Sequence, residues 1–213
     1  MALALLLAAC GGGDGDEDGS TLANLPAGCE EAQKPPPKRV DLKRPQRKVD
    51  RSQSLVASVE TSCGRFEIAL DARDSPKTVS SFVYLAREGV YDDTTFHKIV
   101  PRFVIQGGDP LGTGSGGPGY SVDEPPPPNV EYTRGTVAMA KTAPIEPPGR
   151  SWSQFFVVTA ADAGLPPQYA LLGEVSAGED VVDRIAELGD PASGQTGTPT
   201  ATVVIRKITV NRG

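Results

Sequence analysis

Histidine, tryptophan and cysteine are scarce in this chain, which contains one histidine, one tryptophan and three cysteines among 213 residues. With scattered cysteines and no close group of carboxylates, the sequence lacks the ligands of a zinc site, and we expect no metal and no other cofactor. Basic residues are also too few for a nucleic-acid partner, because the formal net charge is −6 and binding to phosphates requires a basic surface.

The motifs of nucleophilic and phosphate chemistry are missing too. Ser153 is followed by Gln154 and does not occupy a Gly-x-Ser-x-Gly elbow, and His97 has no evident acid to orient it. Residues 112–117 are rich in glycine but lack the Lys-Ser/Thr ending and the following helix of a phosphate-binding loop. We interpret them as an exposed loop, so the sequence predicts neither a hydrolase triad nor a nucleotide site.

The apolar run at residues 1–9 is too short to span a membrane, which takes about 20 residues. It ends in Leu7-Ala8-Ala9-Cys10, and an apolar stretch with small residues at its end is typical of a secretory signal. The tetrapeptide resembles a bacterial lipobox, in which the cysteine is acylated. We therefore expect residues 1–10 to be a lipoprotein signal peptide and Cys10 to be lipidated. The protein would then lie at the cell membrane, lipid-anchored on its extracytoplasmic side.

The next segment, residues 11–52, shows no apolar periodicity. Residues 1–33 carry six acids and no Lys or Arg, whereas residues 34–51 carry eight Lys or Arg and two acids. Such a composition cannot bury enough apolar surface to offset chain entropy, so we predict a disordered tether, acidic and then basic, over 11–52. Cys29 and Cys63 either pair, which an extracytoplasmic location permits, or remain free.

A folded domain is predicted over residues 53–213. One helix begins at Pro76 and ends before Gly89, and a second covers about 178–188. Strand-like runs lie at 55–59, 66–70, 95–100, 103–106, 136–140, 154–159, 170–175 and 202–210. This order does not alternate as βαβ units do, and it favours a mainly β fold. We expect a closed eight-stranded antiparallel β-barrel capped by two α-helices.

Three segments of this domain carry a family resemblance. They are Phe-His-Lys-Ile-Val-Pro-Arg-Phe-Val-Ile-Gln-Gly-Gly-Asp at 96–109, Gly-Thr-Val-Ala-Met-Ala at 135–140 and Ser-Gln-Phe-Phe-Val at 153–157. In this order and spacing they resemble the cyclophilin family of peptidyl-prolyl isomerases, over about 54–210. The resemblance implies the barrel with two capping helices and X-Pro cis/trans isomerisation. It also implies a monomer whose partners are proline-containing segments of unfolded or exported proteins.

The same resemblance assigns a site to ten positions of this chain. Lys98, Gln106 and Phe103 are the catalytic candidates, with Lys98 as the hydrogen-bond donor to the proline nitrogen. The substrate-binding candidates are Val104, Ala140, Lys141, Gln154, Phe156, Leu165 and Tyr169. Phe103, Val104, Phe156 and Leu165 would hold the proline ring, and Ala140 and Gln154 would line the groove for the preceding residues. The single histidine, His97, falls on a structural position.

Lys98 departs from the family pattern, which usually has arginine there, and Lys141 replaces a usual asparagine. A guanidinium offers five donors in a fixed plane, whereas an ammonium is a compact point charge on a flexible stem. We therefore expect weakened isomerase activity. Two alternatives stay open: a non-catalytic adaptor that binds proline peptides in the same groove, and a barrel lipoprotein with an unrelated envelope role.

Overall fold

The computed structural model describes residues 25–143 and 145–213. The predicted signal peptide, its Cys10 and the first part of the predicted tether lie outside the described residues. No helix within the described part of the chain is both long enough and apolar enough to cross a membrane. Its strands are β1 (Leu55–Thr61), β2 (Gly64–Leu70), β3 (Thr94–Thr95), β4 (Lys98–Val100), β5 (Val104–Gly107), β6 (Val122–Asp123), β7 (Thr136–Met139), β8 (Arg150–Ser151), β9 (Phe155–Val158), β10 (Leu171–Ala177) and β11 (Val204–Arg212). Its helices are α1 (Pro76–Arg87), α2 (Glu179–Ala186) and a 3₁₀ segment (Pro191–Thr196).

Nine of the strands form one curled antiparallel sheet in the order β3-β11-β1-β2-β10-β7-β9-β5-β4, and β6 and β8 form a separate ribbon. The predicted closed barrel of eight strands is not confirmed, because the two edge strands, β3 and β4, do not pair with each other. The sequence predicts one strand over 95–100, but Phe96 and His97 interrupt it. The part before them pairs with β11, and the part after them pairs with β5.

The core lies inside the curl of the sheet, beneath α1. In β1, the side chains of Leu55, Ala57 and Val59 are buried, and they alternate with more exposed positions, as expected for a strand with one face on a core. The ring of Phe155 in β9 meets three other aromatic rings in T-shaped contacts with centroid distances of 5.9–6.0 Å. These rings belong to Phe82, Tyr91 and Phe96. This cluster joins the helix to the strands that carry the site.

The N-terminus of α1 is capped by a distant carboxylate. Ser75 occupies the cap position, but its side chain makes no capping hydrogen bond. Instead, the backbone N–H groups of Lys77 and Thr78 donate to the two carboxylate oxygens of Glu124, at 3.1 and 2.7 Å. A negative charge at this end also interacts favourably with the helix dipole, so Glu124 ties α1 to the loop that follows β6.

Residues 25–53, which we call the strap, run along the surface of the domain. Their backbone N–H groups donate to the domain at Glu30, Lys38 and Leu42, with N–O distances of 2.7–2.8 Å. Side chains that point inward pack against the core at Leu25, Cys29, Val40, Leu42 and Val49. The structure thus differs from the disorder predicted for 25–52. The reason is that a few isolated apolar side chains, most of them followed by a charged residue, pack at separate places on the surface of the folded domain.

A disulfide between Cys29 and Cys63 links the strap to the turn between β1 and β2. The sulfurs are 2.03 Å apart, and the two residues are 34 positions apart in the chain. Of the two states that the sequence left open, the structure therefore shows the paired one.

Candidate functional site

One cavity of about 290 Å³ lies on the outer face of the strands at the β4 end of the sheet. Nine of the ten predicted site residues line it, and Gln154 is the exception. Thr142, Ala143 and Gln168 also contribute to its wall. The nine are Lys98, Phe103, Val104, Gln106, Ala140, Lys141, Phe156, Leu165 and Tyr169.

The strand register aligns four residues of neighbouring strands in one row along the cavity. Lys98 of β4 pairs with Gln106 of β5, Gln106 pairs with Phe156 of β9, and Phe156 pairs with Ala138 of β7. Directly opposed residues in antiparallel strands project from the same face of the sheet. Residues that are far apart in the chain therefore lie beside one another across four strands. The cation at Lys98 stands at one end of the row and the apolar ring of Phe156 lies near its middle.

The aromatic rings of Phe156 and Tyr169 line the cavity, and the buried ring of Tyr132 packs against both. Phe156 and Tyr169 meet at right angles with centroids 5.3 Å apart, and Tyr132 lies 6.4 Å from Phe156. The buried Tyr132 hydroxyl donates to the carbonyl of Tyr169 at 2.6 Å and accepts from its backbone N–H at 3.0 Å. Burial raises the pKa of Tyr132 to about 12. Tyr132 thus fixes the backbone that presents Tyr169, a role that no short sequence motif indicates.

The resemblance predicted that Gln154 lines the groove, but its side chain lies behind the cavity and is not among the lining residues. Its side chain is 1% exposed, and its Oε1 accepts a hydrogen bond from Gln106 Nε2 at 3.0 Å. Its own Nε2 donates to the carbonyls of Gly114 and Gly116, both at 3.0 Å. Because every polar atom of this amide is engaged, Gln154 is a positioning residue: it fixes the orientation of Gln106 at the cavity surface.

The loop that holds Gln154 is itself folded around Asp109, the last residue of the Gln-Gly-Gly-Asp motif. Its buried carboxylate accepts hydrogen bonds from the backbone N–H groups of Leu111, Thr113 and Gly114 at 2.5–2.8 Å. Burial opposes ionisation, but these N–H groups hold the pKa of Asp109 below its usual value. A Cβ at Gly116 would lie 1.9 Å from Asp109 Oδ1, so glycine is required there. The glycine-rich loop at 112–117 thus encloses the chain's own carboxylate.

The opposite rim carries Lys141 and the residues that the sequence analysis missed. Lys141 Nζ donates to Gln168 Oε1 at 3.2 Å. The following turn is held by Glu146, whose carboxylate accepts from Thr142, from Ala143 and from the indole N–H of Trp152. Burial opposes ionisation of Glu146, but these donors, Trp152 first, keep its pKa below the usual value. This turn brings Thr142 and Ala143 to the cavity, and Gln168 reaches it from the segment before β10.

His97 lies outside the cavity, in a separate depression beside Lys34 and Thr95. Neither of its ring nitrogens has a hydrogen-bond partner among the described residues, and burial lowers its pKa. Within residues 25–143 and 145–213, no group of three or more His, Cys, Asp or Glu side chains is arranged to hold a metal ion. The polar groups that line the cavity include the ammonium groups of Lys98 and Lys141 and the amide of Gln106, beside an apolar notch.

Comparisons with known proteins match this geometry. The family of cyclophilin type peptidyl-prolyl cis-trans isomerases matches residues 56–210. Peptidyl-prolyl cis-trans isomerase B of Streptomyces anulatus is 39% identical over 177 residues, which cover 75% of this chain and 98% of that protein. A probable peptidyl-prolyl cis-trans isomerase B of Mycobacterium tuberculosis is 36% identical over 204 residues, covering 87% of this chain and 65% of that protein.

A similar solved structure is a cyclophilin type peptidyl-prolyl cis-trans isomerase of Cryptosporidium parvum, determined in the presence of the dipeptide Ala-Pro. Its TM-score is 0.66 at 29% sequence identity, and the match covers 74% of this chain and 99% of that one. The family match over residues 56–210 includes every strand that forms the cavity. This chain belongs to the family of cyclophilin-type peptidyl-prolyl cis-trans isomerases.

Proposed function

We propose that the cavity seats the proline ring of an X-Pro segment while Lys98 stabilises the twisted peptide bond. Rotation about a peptide bond is opposed by about 18–20 kcal/mol, because the C–N bond has double-bond character. In the twisted state the proline nitrogen is pyramidal and regains a lone pair. A cation that faces this nitrogen binds the transition state better than the planar ground state, which is the requirement for catalysis.

The observation that carries this proposal is that the cation, the amide and the apolar notch share one cavity. Lys98 and Gln106 are opposed across β4 and β5, and Phe156 is the next residue in the same row. Phe103, Val104 and Leu165 complete an apolar wall of a size suited to a pyrrolidine ring. The presence of Ala-Pro with the Cryptosporidium parvum relative supports a proline dipeptide as the minimal ligand.

A second candidate function is that of an adaptor that binds proline peptides without turnover. It is favoured by the lysine at position 98, because an ammonium cannot bond in a bidentate manner as a guanidinium can. The two functions differ in one measurable quantity, the rate of isomerisation at saturating protein.

The test is an exchange NMR measurement of cis/trans interconversion in a short Ala-Pro peptide. Wild-type protein should accelerate exchange. The catalysed rate should be about 10- to 100-fold lower in Lys98→Ala, as expected for the loss of a charge-assisted hydrogen bond of about 1.5–3 kcal/mol. Lys98→Arg should raise the rate. Lys207→Ala, an exposed lysine of β11 outside the cavity, is the matched control and should leave the rate unchanged.

Two outcomes would contradict the proposal. Binding of the peptide at the cavity without any acceleration would favour the adaptor. If the protein neither binds the peptide nor accelerates its isomerisation, the cavity has no role with proline peptides. An unrelated envelope role would then remain.

We also propose that the protein acts on exported proteins from the extracytoplasmic side of the membrane, anchored through lipid on Cys10. The disulfide between Cys29 and Cys63 supports this location, because such bonds persist in oxidising compartments. The described surface exposes one large apolar side chain, Ile145, which supports a monomer. Labelling with a radioactive fatty acid should mark the wild-type protein and fail to mark Cys10→Ala, which should leave the membrane fraction.

A further inference from the structure

The charged residues that line the cavity are positive, although the protein as a whole is acidic. They are Lys98 and Lys141, and no Asp or Glu is among the described residues that line the cavity. The complete chain has a formal net charge of −6. The positive charge of the site is therefore a local property, set by two side chains at the cavity.

Neither ammonium is neutralised by an ion pair within the described parts of the chain. The ion pairs found there are formed by the four arginines at positions 134, 150, 184 and 206. The one hydrogen-bond partner of Lys141 Nζ is the neutral amide of Gln168, at 3.2 Å. An ammonium has three donors, so Lys141 keeps capacity for an anionic group of a ligand.

The acid on the neighbouring turn does not compensate Lys141. Both carboxylate oxygens of Glu146 accept hydrogen bonds from the backbone and side chains of its own loop and from Trp152. Glu146 shapes the rim, and those donors stabilise its negative charge. A carboxylate that arrives with a substrate would therefore find Lys141 available.

The two lysines stand at different ends of the cavity floor. Lys98, Gln106, Phe156 and Ala138 form a row across four strands, which spans about 14 Å at the usual strand spacing. Lys141 lies two residues after the end of β7, the strand that is separated from the Lys98 strand, β4, by β9 and β5. An extended peptide advances about 3.3–3.6 Å per residue, so a side chain one or two residues from the seated proline reaches Lys141.

We propose that this site prefers proline segments that carry Asp or Glu within two residues of the proline, and that Lys141 is the residue that recognises the carboxylate. This preference rests on the proposed function of the cavity as the X-Pro site. Lys141 acts on recognition, whereas Lys98 acts on the twisted bond.

The experiment compares Glu with its neutral isostere Gln in otherwise identical proline peptides. Four peptide pairs place the variable residue one or two positions before or after the proline, and kcat/KM is measured by exchange NMR at low salt. At one or more positions kcat/KM of the Glu peptide should exceed that of the Gln peptide by about 2- to 5-fold, as expected for a partly exposed ion pair. The ratio should fall towards one in 0.5 M salt, because ions screen the pair.

Substitutions at position 141 test the residue itself. Lys141→Gln should bring the Glu/Gln ratio close to one, and Lys141→Glu should invert it in favour of the Gln peptide. Lys207→Gln, on exposed β11, should preserve the wild-type ratio. A ratio near one at all four positions in the wild-type protein, or a ratio that persists in Lys141→Gln, would overturn the proposal.

Failure of the proposed function gives a different result. If the protein accelerates isomerisation of none of the peptides, the cavity is not catalytic. The binding of the same peptide pairs is then compared by chemical-shift titration. Tighter binding of Glu peptides that depends on Lys141 would still support the charge preference. Equal binding of both members of every pair would refute it.

Discussion

The disulfide that fastens the strap should contribute a large share of the stability of this protein. Cys29 and Cys63 are 34 positions apart, so the bond closes a loop of that length in the unfolded chain. In the chain-entropy treatment such a loop corresponds to about 4 kcal/mol at 25 °C. For a protein of this size, that amount corresponds to a decrease of roughly 8–16 °C in Tm when the bond is broken.

The assay is thermal unfolding followed by circular dichroism, in a Cys10→Ala background that leaves only these two cysteines. The oxidised protein should unfold at a Tm about 8–16 °C above that of the reduced protein. The double variant Cys29→Ala/Cys63→Ala should match the reduced protein and should not respond to reductant. Isomerase activity at 25 °C should be equal in all forms, because no strap residue lines the cavity.

Two results would refute this reasoning. An unchanged Tm on reduction would mean that the other contacts of the strap already restrict the chain, so the covalent bond adds nothing. A loss of activity without unfolding would mean that the strap and the cavity are coupled, which the lining of the cavity does not indicate.

Further predictions concern the groups that support the site. Replacing Tyr132 with Phe leaves the N–H and C=O of Tyr169 without their partner, and should lower the free energy of unfolding by about 1–3 kcal/mol in urea titrations. Because the pKa of Tyr132 is raised from 10.0 to about 12, its contribution is complete below pH 10 and is lost as the pH rises through 12; Tyr132→Phe should lack this part of the alkaline loss. Gln154→Leu removes the amide that orients Gln106 and should lower kcat/KM for Ala-Pro peptides about 10-fold.

The regular elements of the fold were predictable because their patterns are local. Alternation of apolar residues identified β1 and β2, and Pro76 and Gly89 bounded α1 within two residues. The interruption between β3 and β4 was not predictable, because it depends on a distant partner. The N–H of Phe96 donates to the carbonyl of Val203, more than a hundred residues later. A run of strand-forming residues carries no sign of which neighbour each half will pair with.

The course of the strap could not be predicted from the sequence, for a different reason. Its proline, glycine and charge content predicts disorder when a window of sequence is averaged. The residues that decide its course are single ones, such as Val40 and Leu42, whose burial sites are supplied by the folded domain. Leu42 also donates its N–H to the carbonyl of Pro118 at 2.7 Å. Neither the apolar socket nor the carbonyl can be read from the strap's own sequence.

By itself, the sequence indicated nine of the twelve residues that line the cavity, because its motifs resemble those of the family, and the spacing of two between Val104 and Gln106 places both on one face of β5. Tertiary structure alone decided how those residues are supported. It turned Gln154 inward to hold Gln106, left Lys141 beside a neutral partner and joined Cys29 to Cys63. The reason is physical: each of these outcomes depends on a hydrogen bond, a charge or a covalent contact between segments that meet only after the chain has folded.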